Sequence, residues 1–405
     1  MNNLFTQALH SVDPDRFIAN HLPPHPKGRT IVVGAGKSAA KMARAFEEAW
    51  DGPIAGLVIT RHDHQVACKT ITVEQASHPV PDRAGMLATD KIMSIVQSAG
   101  KDDLVVCLIS GGGSALLHSP IDGITLQDKQ DINAQLLASG ASIDEMNCVR
   151  KQLSKVKGGR LALMAAPAKV YSLLISDVPG DDPAIIASGP TICDETQLDD
   201  ALAIIDRYEL TIAPHIITAM RKAPPKPSFL SNSMYKIVAT PQIALRAAQR
   251  ASDIPAYILG DSIEGEAKDV AKTLSAIALQ IKAHDHPFLK PCVLLSGGET
   301  TVTLRDKSGV GGRNVEFLLA LAIQLRGVDG ISAIACDTDG IDGIEPVAGA
   351  FITPDTLASA KRLGLKPQDY LSRNNAHSFF RALDAQIITG ATLTNVNDFR
   401  AILIR

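Results

Sequence analysis

The sequence predicts an α/β protein folded as two or three domains, and three observations carry that prediction. Apolar runs at 104–109 and 291–295 have the length of strands buried on both faces, and each stops at a glycine-rich turn. Helix-compatible stretches alternate with such runs in both halves of the chain. The 405 residues, 45% of them apolar, exceed what one core usually fills.

Residues 3–20 open as an amphipathic helix, which three prolines interrupt at 21–27. A strand at 30–33 leads into Gly34-Ala35-Gly36-Lys37-Ser38-Ala39 and a helix reaching about Trp50. This G-x-G-x-x-A turn lacks the acid that a dinucleotide ribose needs at the end of the second strand. The run at 54–60 ends instead in Arg61-His62-Asp63-His64. A P-loop would need a glycine separated from Gly36 by four residues, where the strand lies. There remains a turn with Lys37 on the first helical turn, either reaching to solvent or held by an anion at the positive dipole end. His62 and His64 have no third ligand nearby in sequence, which favours a polar loop over a metal site. Asp82 is placed to cap a helix at 84–98.

The run at 104–109 ends in Ser110-Gly111-Gly112-Gly113-Ser114. Glycines there let backbone N–H groups turn toward one point, the serines add hydroxyls, and a helix N-terminus behind them suits phosphate. Residues 291–301 repeat the device with Ser296-Gly297-Gly298-Glu299-Thr300. Helices are expected at 125–138 and 142–155. The basic run Arg150, Lys151, Lys155, Lys157 and Arg160 is then a solvated face or the wall of a site. A strand at 170–175 ends in Ser176-Asp177, with Asp181 and Asp182 further along a loop stiffened by proline and glycine. Asp177, directly at the strand end, is the better candidate for a base or a Mg²⁺ ligand.

Three prolines make 221–233 the expected linker. Beyond it, strands are expected at 235–239, 255–259, 292–296, 300–304 and 331–336, and helices near 241–251, 264–283 and 314–326. Arg313 begins the last of these after a glycine-rich loop, as a surface fork or a finger on a transferring phosphate. The loop Asp337-Thr338-Asp339-Gly340-Ile341-Asp342 is acidic but lacks the closing Glu of a calcium loop. Residues 390–398 add Thr392, Thr394, Asn395 and Asn397 as neutral hydrogen-bonding groups.

Composition removes several classes. Aromatics at 4% and a single Trp argue against base-stacking platforms, and a net charge of −3 offers no basic field to nucleic acid or membrane. The six cysteines are dispersed without a CxxC, and Cys107 and Cys292, inside apolar runs, read as core thiols. The N-terminus shows neither a basic nor an apolar leader region, so a reducing cytoplasm is the expected location.

Read together, GAGKSA at 34–39, SHPVPD at 77–82, LISGGGSALL at 108–117, LISDVPGDDPAIIASGPT at 174–191, LLSGGETTVT at 294–303, GGRNVEF at 311–317, DTDGIDG at 337–343 and TNVND at 394–398 resemble the bacterial and archaeal glycerate 2-kinase family. The resemblance runs from about residue 4 to 398. It implies a larger N-terminal Rossmann-like α/β domain at 1–225 and a smaller C-terminal MOFRL α/β domain at 234–405, with the active site in a cleft between them. It further implies ATP-dependent phosphorylation of D-glycerate at its 2-hydroxyl, with ATP and Mg²⁺. The family's functional lysine falls on Lys37, its aspartate on Asp177 and its arginine on Arg313. On this reading Gly34, Gly36, 110–114 and 296–300 cradle nucleotide phosphates. Arg150, Lys157, Asn314 and Asn395 are candidates for the substrate, and Asp177 and Asp339 for the metal. The partners are then small molecules, with neither nucleic acid nor membrane, and a homodimer is compatible with the reading. Three departures from the family pattern stand out: Gly390-Ala391-Thr392-Leu393-Thr394, His377 in place of the usual tyrosine, and the added charge of Asp337. The alternative enzyme is an NAD(P)H-dependent hydroxypyruvate reductase, a label often given to this family. A non-catalytic small-acid-binding protein is the third reading.

Overall fold

The computed structural model describes residues 1–304 and 308–405. They form two compact units, one of Pro14–Val238 and one that joins Met1–Asp13 to Ala239–Arg405.

The first unit is built on strands β1 (Thr30–Ala35), β2 (Ile54–Arg61), β3 (Ile71–Ala76), β4 (Leu104–Ile109), β5 (Lys169–Ile175) and β6 (Ser233–Ala239), in the order β3-β2-β1-β4-β5-β6. The pairs from β3 through β5 are parallel. Every residue of β1 and β4 is buried, as befits a sheet covered by helices on both faces. Asp82 accepts from the Gly85 N–H at 2.9 Å and so caps the helix Arg83–Gln97. The strand order reverses between β1 and β4, where a doubly wound sheet opens a crevice at the carboxyl ends of its strands.

The second unit contains β7 (Ala256–Gly260), β8 (Gly265–Glu266), β9 (Cys292–Ser296), β10 (Thr300–Thr301), β11 (Ile331–Asp337), β12 (Gly349–Ile352), β13 (Gln386–Ile387) and β14 (Asp398–Ile404). Its main sheet runs β13-β12-β11-β14-β9-β7, antiparallel except for β7–β9. Helices Ala267–His284 and Arg313–Leu325 form the core with one face, through Phe317, Leu294, Ala333 and Ile402. The expected strand at 300–304 shortens to two residues paired with β8.

Two expected boundaries move. The N-terminal helix Asn2–Ser11 buries Leu4, Phe5 and Ala8 in the second unit, and the Phe5 ring lies 5.5 Å from that of Phe399. The prolines at 221–233 do not make a linker. Lys226 is buried and ion-paired with Asp194, and the Asn232 amide donates to the carbonyls of Ala162 and Ala168 at 3.0 Å each. The stretch is thus packed as the approach to β6, and the unit boundary falls at 238/239 rather than between 225 and 234. Proline removes N–H donors but leaves side chains free to pack, so composition alone misplaces such a boundary.

Candidate active site

At the switch point of the first unit the two glycine-rich turns lock together. The Ser38 N–H donates to Ser110 Oγ at 3.0 Å, and the Lys37 N–H to the Gly111 carbonyl at 2.8 Å. Gly36 has φ +141°, and a Cβ there would lie 2.1 Å from Ser110 Oγ, so only glycine fits. His64, fully buried, places Nδ1 3.2 Å from the Lys37 carbonyl, which further fixes the turn. Asp177 follows β5 by two residues and therefore lies at the same edge of the sheet. The helix after the 110–114 loop is only Gly113–Leu116, a single turn, so its dipole adds little to anion binding.

Basic side chains stand beside the turn instead. Lys157, 1% exposed, donates from Nζ to the Ser114 carbonyl and Oγ, each at 2.8 Å, and reaches Ser188 Oγ at 3.4 Å. Ser188 and Ala187 hold left-handed backbone, φ 61° and 51°, a conformation that costs a non-glycine residue about 1 kcal/mol or more. That strain aims the Ser188 hydroxyl at Ser114 and at Asn147 Oδ1. Lys157, Arg150 and Lys129 line a cavity of about 230 Å³ together with Gly112, Ser114 and His78. Neighbouring histidines register the environment. Burial first, and then Arg61 and Lys37, lower His64 to about 4 against the raising effect of its bond to the Lys37 carbonyl, while burial first and then Lys37 and Arg61 lower His78 to about 3. Burial first, and then Lys129 and Lys157, lower His118 to about 3. The basic run therefore divides: Arg150 and Lys157 reach the cavity, whereas Lys151 pairs with Asp194, and Arg160 donates to the carbonyls of Lys151 and Pro224. Lys129 escaped the sequence reading, although it falls on the apolar stripe of its helix with Ile132 and Leu136.

The second glycine turn has a different character. The Gly297 N–H donates to the Gly260 carbonyl at 2.9 Å and the Thr300 N–H to Asp398 Oδ2 at 3.1 Å, so these amides brace β14 and β7 instead of cradling an anion. Ser296 is buried at the end of β9, and the Gly298 carbonyl accepts from the Asp398 N–H at 3.0 Å. The region is acidic and centred on Arg313. Its guanidinium meets Glu299 Oε1 at 2.5 Å, Asp337 Oδ2 at 2.7 Å and Asp398 Oδ1 at 2.8 Å. Burial would lower the Arg313 pKa, but these carboxylates outweigh it and hold it well above its ordinary value. Asp337 is thus a direct partner of Arg313. Asp398 also pairs with the fully buried Arg400, which lies over the Phe317 ring.

Asn314, expected at substrate, is instead wholly buried and donates to Asp398 Oδ1 at 2.8 Å. Asp342 accepts from the Asn314 and Val315 N–H groups at the start of that helix, and burial first raises its carboxyl to about 7. Its carboxylate fills the space a Cβ on Gly312 would need, 2.3 Å away. His377, in place of the family's tyrosine, is fully buried with Nε2 2.9 Å from the Asp342 carbonyl. Asn395 is also buried, with Oδ1 3.3 Å from the Asn397 N–H. Asp339 Oδ1 accepts from the Ile341 N–H at 2.9 Å. Among the described residues, no three His, Cys, Asp or Glu side chains are grouped to hold a metal by themselves.

Comparison with known proteins matches residues 1–221 to a domain of unknown function, DUF4147, and residues 292–398 to the MOFRL family. A D-glycerate 2-kinase of Thermotoga maritima is 36% identical over 97% of this chain and 94% of its own. The crystal structure of a glycerate kinase from Thermotoga maritima superposes with a TM-score of 0.91 at 35% identity, covering 100% of this chain and 98% of that one. The chain belongs to the glycerate 2-kinase family. Within it, an Agrobacterium vitis relative, 49% identical over 100% of this chain and 94% of its own, carries the provisional name hydroxypyruvate reductase. The family assignment agrees with the α/β architecture of both units and with the MOFRL match at the C-terminus.

Proposed function

We propose that the protein transfers the γ-phosphoryl group of ATP to the 2-hydroxyl of D-glycerate, giving 2-phospho-D-glycerate and ADP. The observation that carries this reading is the cationic cavity beside the switch-point turns, lined by no acidic side chain among the described residues, in a chain alike over its full length to a glycerate kinase. Phosphoryl transfer asks a protein chiefly for positioning and charge neutralisation. Lys37 and Arg313 would neutralise charge on the transferring group. The 110–114 loop would hold its oxygens, Arg150 would bind the acid, and Lys157 would line the substrate side of the same cavity. Asp177 would either accept the hydroxyl proton or hold the metal.

Mg²⁺, when bound, supplies neutralisation of the β- and γ-phosphate oxygens. Asp177 and Asp339 are each a hard oxygen donor of the kind it takes, and a single carboxylate suffices when phosphates complete the shell. Such a reaction among small molecules suits a cytoplasmic enzyme, and no helix among the described residues is long and apolar enough to cross a membrane.

ATP–Mg turnover with D-glycerate, with phosphorus NMR locating the new ester, tests the reading. A phosphate on C2 is expected. No ester, together with loss of NADH absorbance on adding hydroxypyruvate, would overturn it in favour of the reductase.

A further inference from the structure

Lys129 lies on helix Leu126–Ser139 with 6% of its surface exposed, and among the described residues its Nζ has no hydrogen-bond partner. Arg150, on the facing wall of the same cavity, leaves Nε without a partner and brings Nη2 only to Met146 Sδ at 3.8 Å. Lys157 differs, because its Nζ is already held by Ser114 and Ser188, and burial first, then Lys129, Arg150 and Lys151, lower its pKa well below the ordinary value. An ammonium in a dry wall without a counter-charge is costly, and packing gains nothing from it that a methionine would not give. The cost is reasonable only where an anion arrives to offset it. The cavity, about 230 Å³, holds roughly seven or eight waters' worth of liquid volume. That is below the roughly 300–1,000 Å³ of sites for drug-sized ligands, so it fits a few-carbon acid and excludes a nucleoside.

We propose that this cavity is the carboxylate subsite of the acceptor, where Lys129 with Arg150 pairs the acid group of a short 2-hydroxy acid and so selects acids over neutral polyols. The inference rests on the kinase reading for the fate of the hydroxyl but not for the binding of the acid. Gly112 and Ser114 form another wall, so an acid anchored at Lys129 sits against the loop assigned above to phosphate oxygens. Burial, with the charge of Arg150, lowers Lys129 to about 7, so binding a carboxylate draws a proton onto it near neutral pH. The other titratable groups around it are Arg150, Lys157, His78 and His118. Both histidines are held neutral down to about 3 and take no part in uptake near pH 7.

Lys129→Met keeps the chain length and removes the charge. D-Glycerate binding to the full chain without nucleotide is measured by calorimetry in two buffers of different ionisation enthalpy. ATP-dependent turnover is measured with D-glycerate and with glycerol. Losing one charged hydrogen bond weakens binding by about tenfold to a hundredfold. The variant is therefore expected to raise Kd and KM by that factor, to lose the preference for the acid over glycerol by a similar factor, and to lose proton uptake near pH 7. Its ligand-free melting temperature should rise. Arg150→Gln, on the partly buried facing wall, should weaken binding in the same sense and serves if the first variant does not fold. Unchanged Kd and acid preference in a folded Lys129→Met would overturn the subsite while leaving the kinase reading intact. Acid binding that depends on Lys129, without ATP turnover in the parent protein, would keep the subsite and remove the kinase reading.

Discussion

Lys129 and Asp398 show how one residue can serve stability and function in opposite senses. Lys129 has a folded pKa of about 7 against an ordinary 10.5, so between those values the unfolded chain binds more protons and stability rises with pH. Below pH 7 the lysine is charged in both states and its burial penalty is complete. The stability gained by Lys129→Met should thus be largest at or below pH 7 and shrink toward pH 10, as read by denaturant unfolding across that range. Asp398 acts the other way, because two arginines share its carboxylate. Asp398→Asn would leave the fully buried Arg400 without its counter-ion and should destabilise the second unit by about 3–5 kcal/mol, measured by urea titration. At the surface of the chemistry, Lys37→Ala and Arg313→Ala should each lower turnover by about two orders of magnitude or more while circular dichroism stays unchanged. Near-normal turnover in either would remove that residue from the reaction.

Among elements, the turns that end β1 and β4 matter more than the helices behind them. The β1 turn depends on Gly36, whose backbone conformation and closeness to Ser110 exclude a side chain. Gly36→Ala should cost more than about 2 kcal/mol and break the Ser38–Ser110 bond, visible as a lower melting temperature together with reduced turnover. The two Ser-Gly-Gly turns look alike in sequence yet do different work. One stands beside Lys157 and the cationic cavity, the other braces β14 under Arg313. Sequence cannot separate them, because the partner of a turn amide is chosen by strands far away along the chain.

For the whole molecule, the N-terminal helix belongs with residues hundreds of positions later. Phe5 packs on Phe399, and Thr394 Oγ1 donates to the Val12 carbonyl at 2.7 Å. Deleting residues 2–11 should therefore leave the first unit intact and destabilise the second by roughly 3–6 kcal/mol, from the burial of Leu4, Phe5 and Ala8. Hydrogen exchange should show faster exchange confined to 239–405, and an effect spread over 14–238 would contradict the division. By itself, the sequence determined the α/β class and the glycine turns at the strand ends, since periodicity and backbone freedom are local properties. Only tertiary structure decided that Lys129 faces a cavity, that Asn314 is buried against Asp398, that Asp337 and Asp398 hold Arg313, and where one unit ends. Those facts depend on which distant residue supplies a counter-charge or a hydrogen bond, and no local pattern encodes that.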